Sequence, residues 1–285
     1  MSGYERVCAG LVFILAVSFP LVVVAESGSR IQIVGSTTVL PVASRSAQKF
    51  MESSSSRILV NAGGSGVGIH SVAGGRADIG MASRGISADE NKRFEKSHLK
   101  IHQLGLDAVA CVVSSEIYQA GVQQLAARQI AGIYLGEIRN WKEVGGPNRK
   151  IVVVDKERHR GTRHVFMQYV FGNASQRTPG TLLVTGSNNE EQAKIAQSDS
   201  AIGMLSFNWT NEEVKAVSLM DNGKEIMPTW EAVRQGSYPI VRKLNFITAG
   251  KPNGEIKDFI NFVKGPEGQK IVEESGYIPI ENYRP

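Results

Sequence analysis

Three short loops carry side chains suited to holding a small anion. They are Gly35-Ser36-Thr37-Thr38-Val39-Leu40-Pro41, Gly63-Gly64-Ser65-Gly66-Val67-Gly68 and Arg158-His159-Arg160-Gly161-Thr162-Arg163-His164. The first follows a short apolar run, the third follows another (151–154), and each opens a stretch with helical character. A helix start leaves backbone N–H groups without partners and carries the positive end of the dipole, so an anion is stabilised there. Ser36, Thr37, Thr38, Ser65 and Thr162 add hydroxyl donors. Glycines such as Gly66 and Gly161 let backbone approach a ligand closely, and Arg160 brings a guanidinium that can grip an oxyanion with two bonds. The plainer alternatives are an ordinary N-cap, for which one Ser or Thr suffices, and a solvated charged turn.

Ala77-Asp78-Ile79-Gly80-Met81-Ala82-Ser83-Arg84 adds a carboxylate to this set. A carboxylate accepts a hydrogen bond from an oxyanion that still holds a proton and repels one that does not. Asp78 is therefore a candidate for selecting a protonated tetrahedral anion; the alternative is a pairing with Arg76 or Arg84. Other chemistries fit less well. Ile69 stands where a dinucleotide loop needs its third glycine, no Gly-Lys-Ser/Thr follows as in a P-loop, and Val67 occupies the last glycine of a nucleophile elbow. His98 and His102 lie four apart in a strand-like stretch, without a His-Glu-x-x-His or a cysteine cluster, so neither a metal nor a cofactor is expected. Ser65, His159 and Asp78 do not form a triad by spacing, and an enzyme is not expected.

The elements that would position these loops alternate. Strand character at 31–34, 58–61, 78–81, 151–154 and 202–206 is interleaved with helix character at 41–51, 68–74, 162–171 and 255–264, the pattern of an α/β protein with a mostly parallel sheet. Two extended apolar segments, 104–114 and 241–248, each follow a complete block of such elements. They are candidates for crossings between two lobes, 26–106 plus 245–285 and 107–244. With 285 residues, 42% apolar and 21% charged, the chain can bury a sizeable core, and its composition excludes collagen, coiled coil and wholesale disorder. A net charge of +5 favours a small anion but is too mild and dispersed to argue nucleic acid.

Residues 1–25 read as a secretory signal: a short start with Arg6, a long apolar run from Val7, and small residues ending at Ala25. The rival is an uncleaved membrane anchor. Cys8 stands too early for a lipoprotein anchor. Cys111, within Ala108-Val109-Ala110-Cys111-Val112-Val113, reads as a buried small hydrophobe.

At this point the chain resembles the phosphate-binding protein family, the periplasmic receptors of phosphate ABC transporters. The matching segments run in family order across nearly the whole chain after residue 25: Gly35-Ser36-Thr37-Thr38-Val39, Gly64-Ser65-Gly66 and Ala77 through Arg84. Then come Ile133-Tyr134-Leu135-Gly136-Glu137-Ile138-Arg139-Asn140-Trp141, Lys156-Glu157 with Gly161-Thr162-Arg163, Ala201 through Ser206, Ser237-Tyr238-Pro239-Ile240-Val241-Arg242 and Gly265 through Lys270. The resemblance implies a type II periplasmic binding protein, α/β, with two lobes joined by two crossing strands and the ligand in the cleft. It implies a periplasmic monomer that captures inorganic phosphate and delivers it to a membrane permease. The alternatives are another oxyanion or phosphate sensing on the same fold, with a phosphate-ester hydrolase a distant third. The implied ligand residues are Ser36, Thr37, Thr38, Ser65, Gly66, Asp78, Ser83, Arg84, Arg160, Gly161 and Thr162.

The third loop departs from the family pattern Arg-Glu-x-Gly-Ser-Gly-Thr-Arg. Lys156 replaces the Arg, His159 the Gly and Arg160 the Ser. Arg160 either enters the cleft and supplies charge or swings out. A cleft sized for serine resists the added volume, which favours the outward orientation.

Overall fold

The computed structural model describes residues 29–221 and 223–280, so the signal at 1–25 lies outside the described residues. The first lobe begins with β1 (Arg30–Gly35), α1 (Leu40–Met51), β2 (Arg57–Ala62), α2 (Ser65–Ala73), β3 (Ile79–Ala82) and α3 (Ala88–Arg93). The long strand β4 (Leu99–Ser114) then carries the chain across. Beyond it lie α4 (Ser115–Gln119), β5 (Gln124–Ala126), α5 (Ala127–Leu135), β6 (Val152–Lys156), α6 (Gly161–Phe171), β7 (Leu183–Thr185), α7 (Asn188–Ala196) and β8 (Ala201–Ser206). After β9 (Val214–Ala216), β10 (Ser218–Asp221), β11 (Lys224–Ile226) and α8 (Trp230–Arg234), β12 (Val241–Ala249) returns to the first lobe, which α9 (Gly254–Lys264), α10 (Pro266–Glu274) and β13 (Ile278–Pro279) complete.

The main sheet has the order β2-β1-β3-β12-β4-β8-β6-β7, with β9 and β13 also paired to β4. Strands β1, β2 and β3 are mutually parallel, as are β6, β7 and β8. The sheet is nonetheless mixed, where the alternation predicts a mostly parallel one. The crossings β4 and β12 run antiparallel to each other over their whole shared length, from Val241 opposite Ala108 to Ala249 opposite Leu99. Both crossings belong to one continuous ladder, so the return strand must run against the outgoing one.

Two apolar cores flank the ladder. One gathers Ile31, Ile33, Val39, Leu104, Leu244, Phe246 and Phe259; the other gathers residues from Ala108 to Ile240, including Tyr134, Trp141 and Phe166. Each fully buried side chain of this size contributes about 1.5–3 kcal/mol. Cys111 lies in the second core, fully buried, as its apolar neighbours predict. Helix α1 shows how sequence sets the packing: Pro41 suits the first turn, and Val42, Ala43, Ser46 and Ala47 form the buried face. Helix α3 starts on a capping box, Ser87 with Glu90. Among the described residues no helix is long and apolar enough to cross a membrane.

Candidate functional site

The carboxyl ends of parallel strands in an open α/β sheet form a crevice where ligands bind. Here β1, β2, β3, β6 and β7 end at one such crevice, and the helices that follow four of them, α1, α2, α6 and α7, begin there. Between the lobes lies a narrow, nearly filled cavity. It is walled by Ser36, Thr37, Thr38, Gly64, Ser65 and Ser83 from one side and Lys156, Arg160, Gly161, Thr162, Gly186, Ser187 and Asn188 from the other.

The hydroxyls are linked. Ser36 Oγ accepts from the Thr38 N–H at 3.2 Å and donates to Ser83 Oγ at 3.1 Å. Ser83 N donates to Ser65 Oγ at 3.0 Å, and the Ser65 and Ser83 hydroxyls lie 3.3 Å apart. Thr38 Oγ1 accepts from Asn188 Nδ2 and from Arg242 Nη2, each at 3.1 Å. With both lone pairs taken, the Thr38 hydroxyl is left to donate. Thr162 Oγ1 accepts from Arg242 Nη1 at 2.9 Å.

Arg242 thus ties Thr38 of one lobe to Thr162 of the other from behind the cavity. Its guanidinium is fixed by Asp107 at 2.7–2.8 Å, and Ser206 donates to the other carboxylate oxygen at 2.7 Å. Both members of this pair are buried. Burial pushes the Asp107 carboxyl up, against the pull of Arg242. A second buried pair, Lys156 with Glu191, stands beside the cavity, and Lys156 Nζ also donates to Ser187 O at 3.1 Å. Burial lowers the lysine and raises the glutamate from their ordinary values.

The lobes are closed onto each other. Gly66 N donates to His159 O at 3.0 Å, and His159 Nε2 lies 3.2 Å from Gly63 O. Gly161 approaches the first lobe so closely that a Cβ there would lie 2.3 Å from Ser65 Oγ and 2.5 Å from Ser83 Oγ. Gly64 opens α2 at φ +92°, a conformation suited to glycine.

The cavity therefore gathers Ser36, Thr37, Thr38, Ser65, Ser83, Arg160, Gly161 and Thr162, and three residues of the sequence-derived set fall elsewhere. Asp78 is exposed and its carboxylate accepts from Gln32 N at 2.7 Å. It precedes β3, whereas Ser83 follows that strand, and four residues at ~3.3 Å each separate the two ends by about 13 Å. Arg84 is spent on Glu90, with bonds of 2.7 and 2.8 Å, and on Gly85 O. Gly66 gives its N–H to His159.

The outward orientation of Arg160 is also corrected. Its guanidinium lines the cavity, held by Glu157 Oε2 through Nε and Nη2 at 2.8 and 2.6 Å. Two glycines make the room: a Cβ at Gly64 would lie 2.9 Å from Arg160 Cδ, and one at Gly186 would lie 3.0 Å from Arg160 Nη2.

Sequence reasoning missed Gly186, Ser187 and Asn188, although Ser187 three residues before Glu190 is an N-cap signal, realised as Ser187 Oγ accepting from Glu190 N. Arg242 and Asp107 were also missed as site residues; Arg242 closes a matched motif, but nothing local pairs it with Asp107, 135 positions away.

The family model described as a PBP superfamily domain matches residues 22–267. The phosphate-binding protein PstS of Bacillus subtilis is 33% identical over 262 residues, covering 91% of this chain and 83% of that protein. Its counterpart in Borreliella burgdorferi is 26% identical over 95% of this chain and 98% of its own length. A candidate phosphate ABC transporter substrate-binding protein from Clostridium perfringens, solved with bound phosphate, superimposes with a TM-score of 0.79 at 31% identity, covering 89% of this chain and all of its own. An ABC-type phosphate transport receptor from Vibrio cholerae gives 0.71 at 30% identity over 88% of this chain and all of its own.

Proposed function

The chain belongs to the PBP superfamily and, within it, to the phosphate-binding protein family, and from that premise we propose that it captures inorganic phosphate between its lobes and hands it to an ABC transporter permease. It acts as a receptor, not an enzyme. The observation that carries the reading is the cavity at the lobe junction, where helix starts and hydroxyls converge from both sides. Thr38, Ser65, Ser83, Arg160, Gly161 and Thr162 are the proposed ligand groups, with Ser36 and Thr37 completing the first loop. An anion held there replaces water with aligned N–H and O–H donors and meets the positive ends of the helices.

Closure follows from the same contacts. The segments 26–106 plus 245–285 and 107–244 are the proposed moving lobes, hinged at β4 and β12. The ligand bridges donors that either lobe alone supplies only in part, so binding favours the closed arrangement. Receptors of this family work outside the cytoplasmic membrane; a periplasmic monomer released by cleavage of the 1–25 segment is the proposed form. Titration calorimetry with phosphate tests the reading: one phosphate per chain at micromolar affinity or tighter supports it, and no binding at millimolar phosphate overturns it.

A further inference from the structure

A site that selects hydrogen phosphate by its proton needs an acceptor that cannot donate. A carboxylate meets that need, because a fully ionised oxyanion placed against it is repelled. None of the residues lining the cavity is Asp or Glu. Among the described residues, the carboxylates close by hold groups other than a ligand. Glu157 Oε2 takes two N–H groups of Arg160, and Glu190 Oε2 takes Gly186 N at 2.6 Å. Glu191 is bound by Lys156, Met204 N and Thr185, and Asp107 by Arg242 and Ser206.

The wall itself is weighted to donors. Thr38 can only donate. Of the Ser65 and Ser83 hydroxyls, one can donate to the other, which leaves at least one O–H for a ligand. The charged groups in the lining are Lys156 and Arg160, both cationic. The remaining acceptors are neutral hydroxyl and amide groups, which repel an unprotonated oxygen far less than a full carboxylate charge does, and a hydroxyl can rotate to donate instead.

We infer that this cavity selects tetrahedral oxyanions by size and charge and not by the proton they carry, so that sulfate occupies the same site as phosphate. The inference rests on the proposed phosphate site and concerns its selectivity. A repulsive carboxylate contact is worth about a thousandfold in affinity, and this lining has none to impose it.

The test is titration calorimetry of the phosphate-stripped full-length protein with sodium sulfate and with sodium phosphate, followed by displacement of bound sulfate with phosphate. Sulfate binding one per chain, displaced by phosphate and within about a thousandfold of its affinity, is the expected result. Phosphate binding with sulfate weaker than that, or with sulfate bound but not displaced, overturns the inference while leaving the receptor reading intact. Absence of phosphate binding is a different outcome: it overturns the receptor reading, and the inference falls with it.

Discussion

Replacing Asp107 by Asn tests whether the arginine behind the cavity is held by a counter-charge. Asp107 and Arg242 are buried, joined by bonds of 2.7–2.8 Å, and Asp107 also takes the Ser206 hydroxyl. Removing one member of a buried ion pair costs about 3–5 kcal/mol, because the remaining charge stays buried without its partner. Asparagine keeps an oxygen for the guanidinium, and Thr38 and Thr162 still accept from Arg242, so the low end, about 3 kcal/mol, is the expected loss. For a chain of this size that lowers Tm by about 6–12 °C in phosphate-free buffer. The freed positive charge also strengthens the field at the cavity, so bound phosphate recovers part of the loss, and the gap between Asp107→Asn and the natural protein narrows in saturating phosphate. Differential scanning calorimetry of both proteins, with and without phosphate, reads both effects. A fall under 2 °C, or a gap that widens with phosphate, would mean that Asp107 is not the counter-charge that holds Arg242.

Gly161→Ala puts a Cβ within 2.5 Å of two serine hydroxyls across the lobe junction; phosphate affinity by calorimetry falls at least about 100-fold while far-UV circular dichroism is unchanged, since each lobe's own core is untouched. Arg160→Ser exchanges a charge-assisted bond for a neutral one and removes the side chain spanning Gly64 and Gly186, so affinity falls by about 1–2 kcal/mol, or 5–30-fold, with a faster off-rate in stopped flow. Asp78→Asn leaves the ratio of phosphate to sulfate affinity unchanged, because its carboxylate meets only the far end of the sheet. Burial would raise Glu90, but bonds from Arg84 and Ser87 outweigh it and hold the carboxyl at about 2, against an ordinary 4.5. Its contribution, about 2 kcal/mol after solvent screening, is present above pH 4.5 and lost as pH falls from there towards 2. Urea melts of Glu90→Gln and the natural protein therefore draw together as pH falls from 4.5 and meet only near pH 2.

What could be read from the sequence was local. Gly35 through Thr38, Ser65 and Gly161-Thr162 announce themselves because a glycine and hydroxyls between a strand and a helix can be recognised within a few residues. The crossings at 104–114 and 241–248 were legible as long apolar stretches, and both fall on β4 and β12. Asp78 misled because residue type says nothing about which end of a short strand a side chain occupies; one strand length moved it out of reach. Arg160 misled for a related reason. Its bulk argued against the cleft, but the space comes from Gly64 and Gly186, both distant in sequence. The pairing of Arg242 with Asp107 arises only when two antiparallel crossings lie side by side, a register set by the whole sheet.

Phosphate in the cavity between the lobes would be visible in a crystal structure of the protein grown with phosphate. Tetrahedral density is expected within hydrogen-bond distance of the Thr38 hydroxyl, the Ser65 loop and the N–H groups that open α6 at Gly161 and Thr162. Phosphate bound elsewhere on the chain, with the cavity walls unchanged and no density between them, would contradict it.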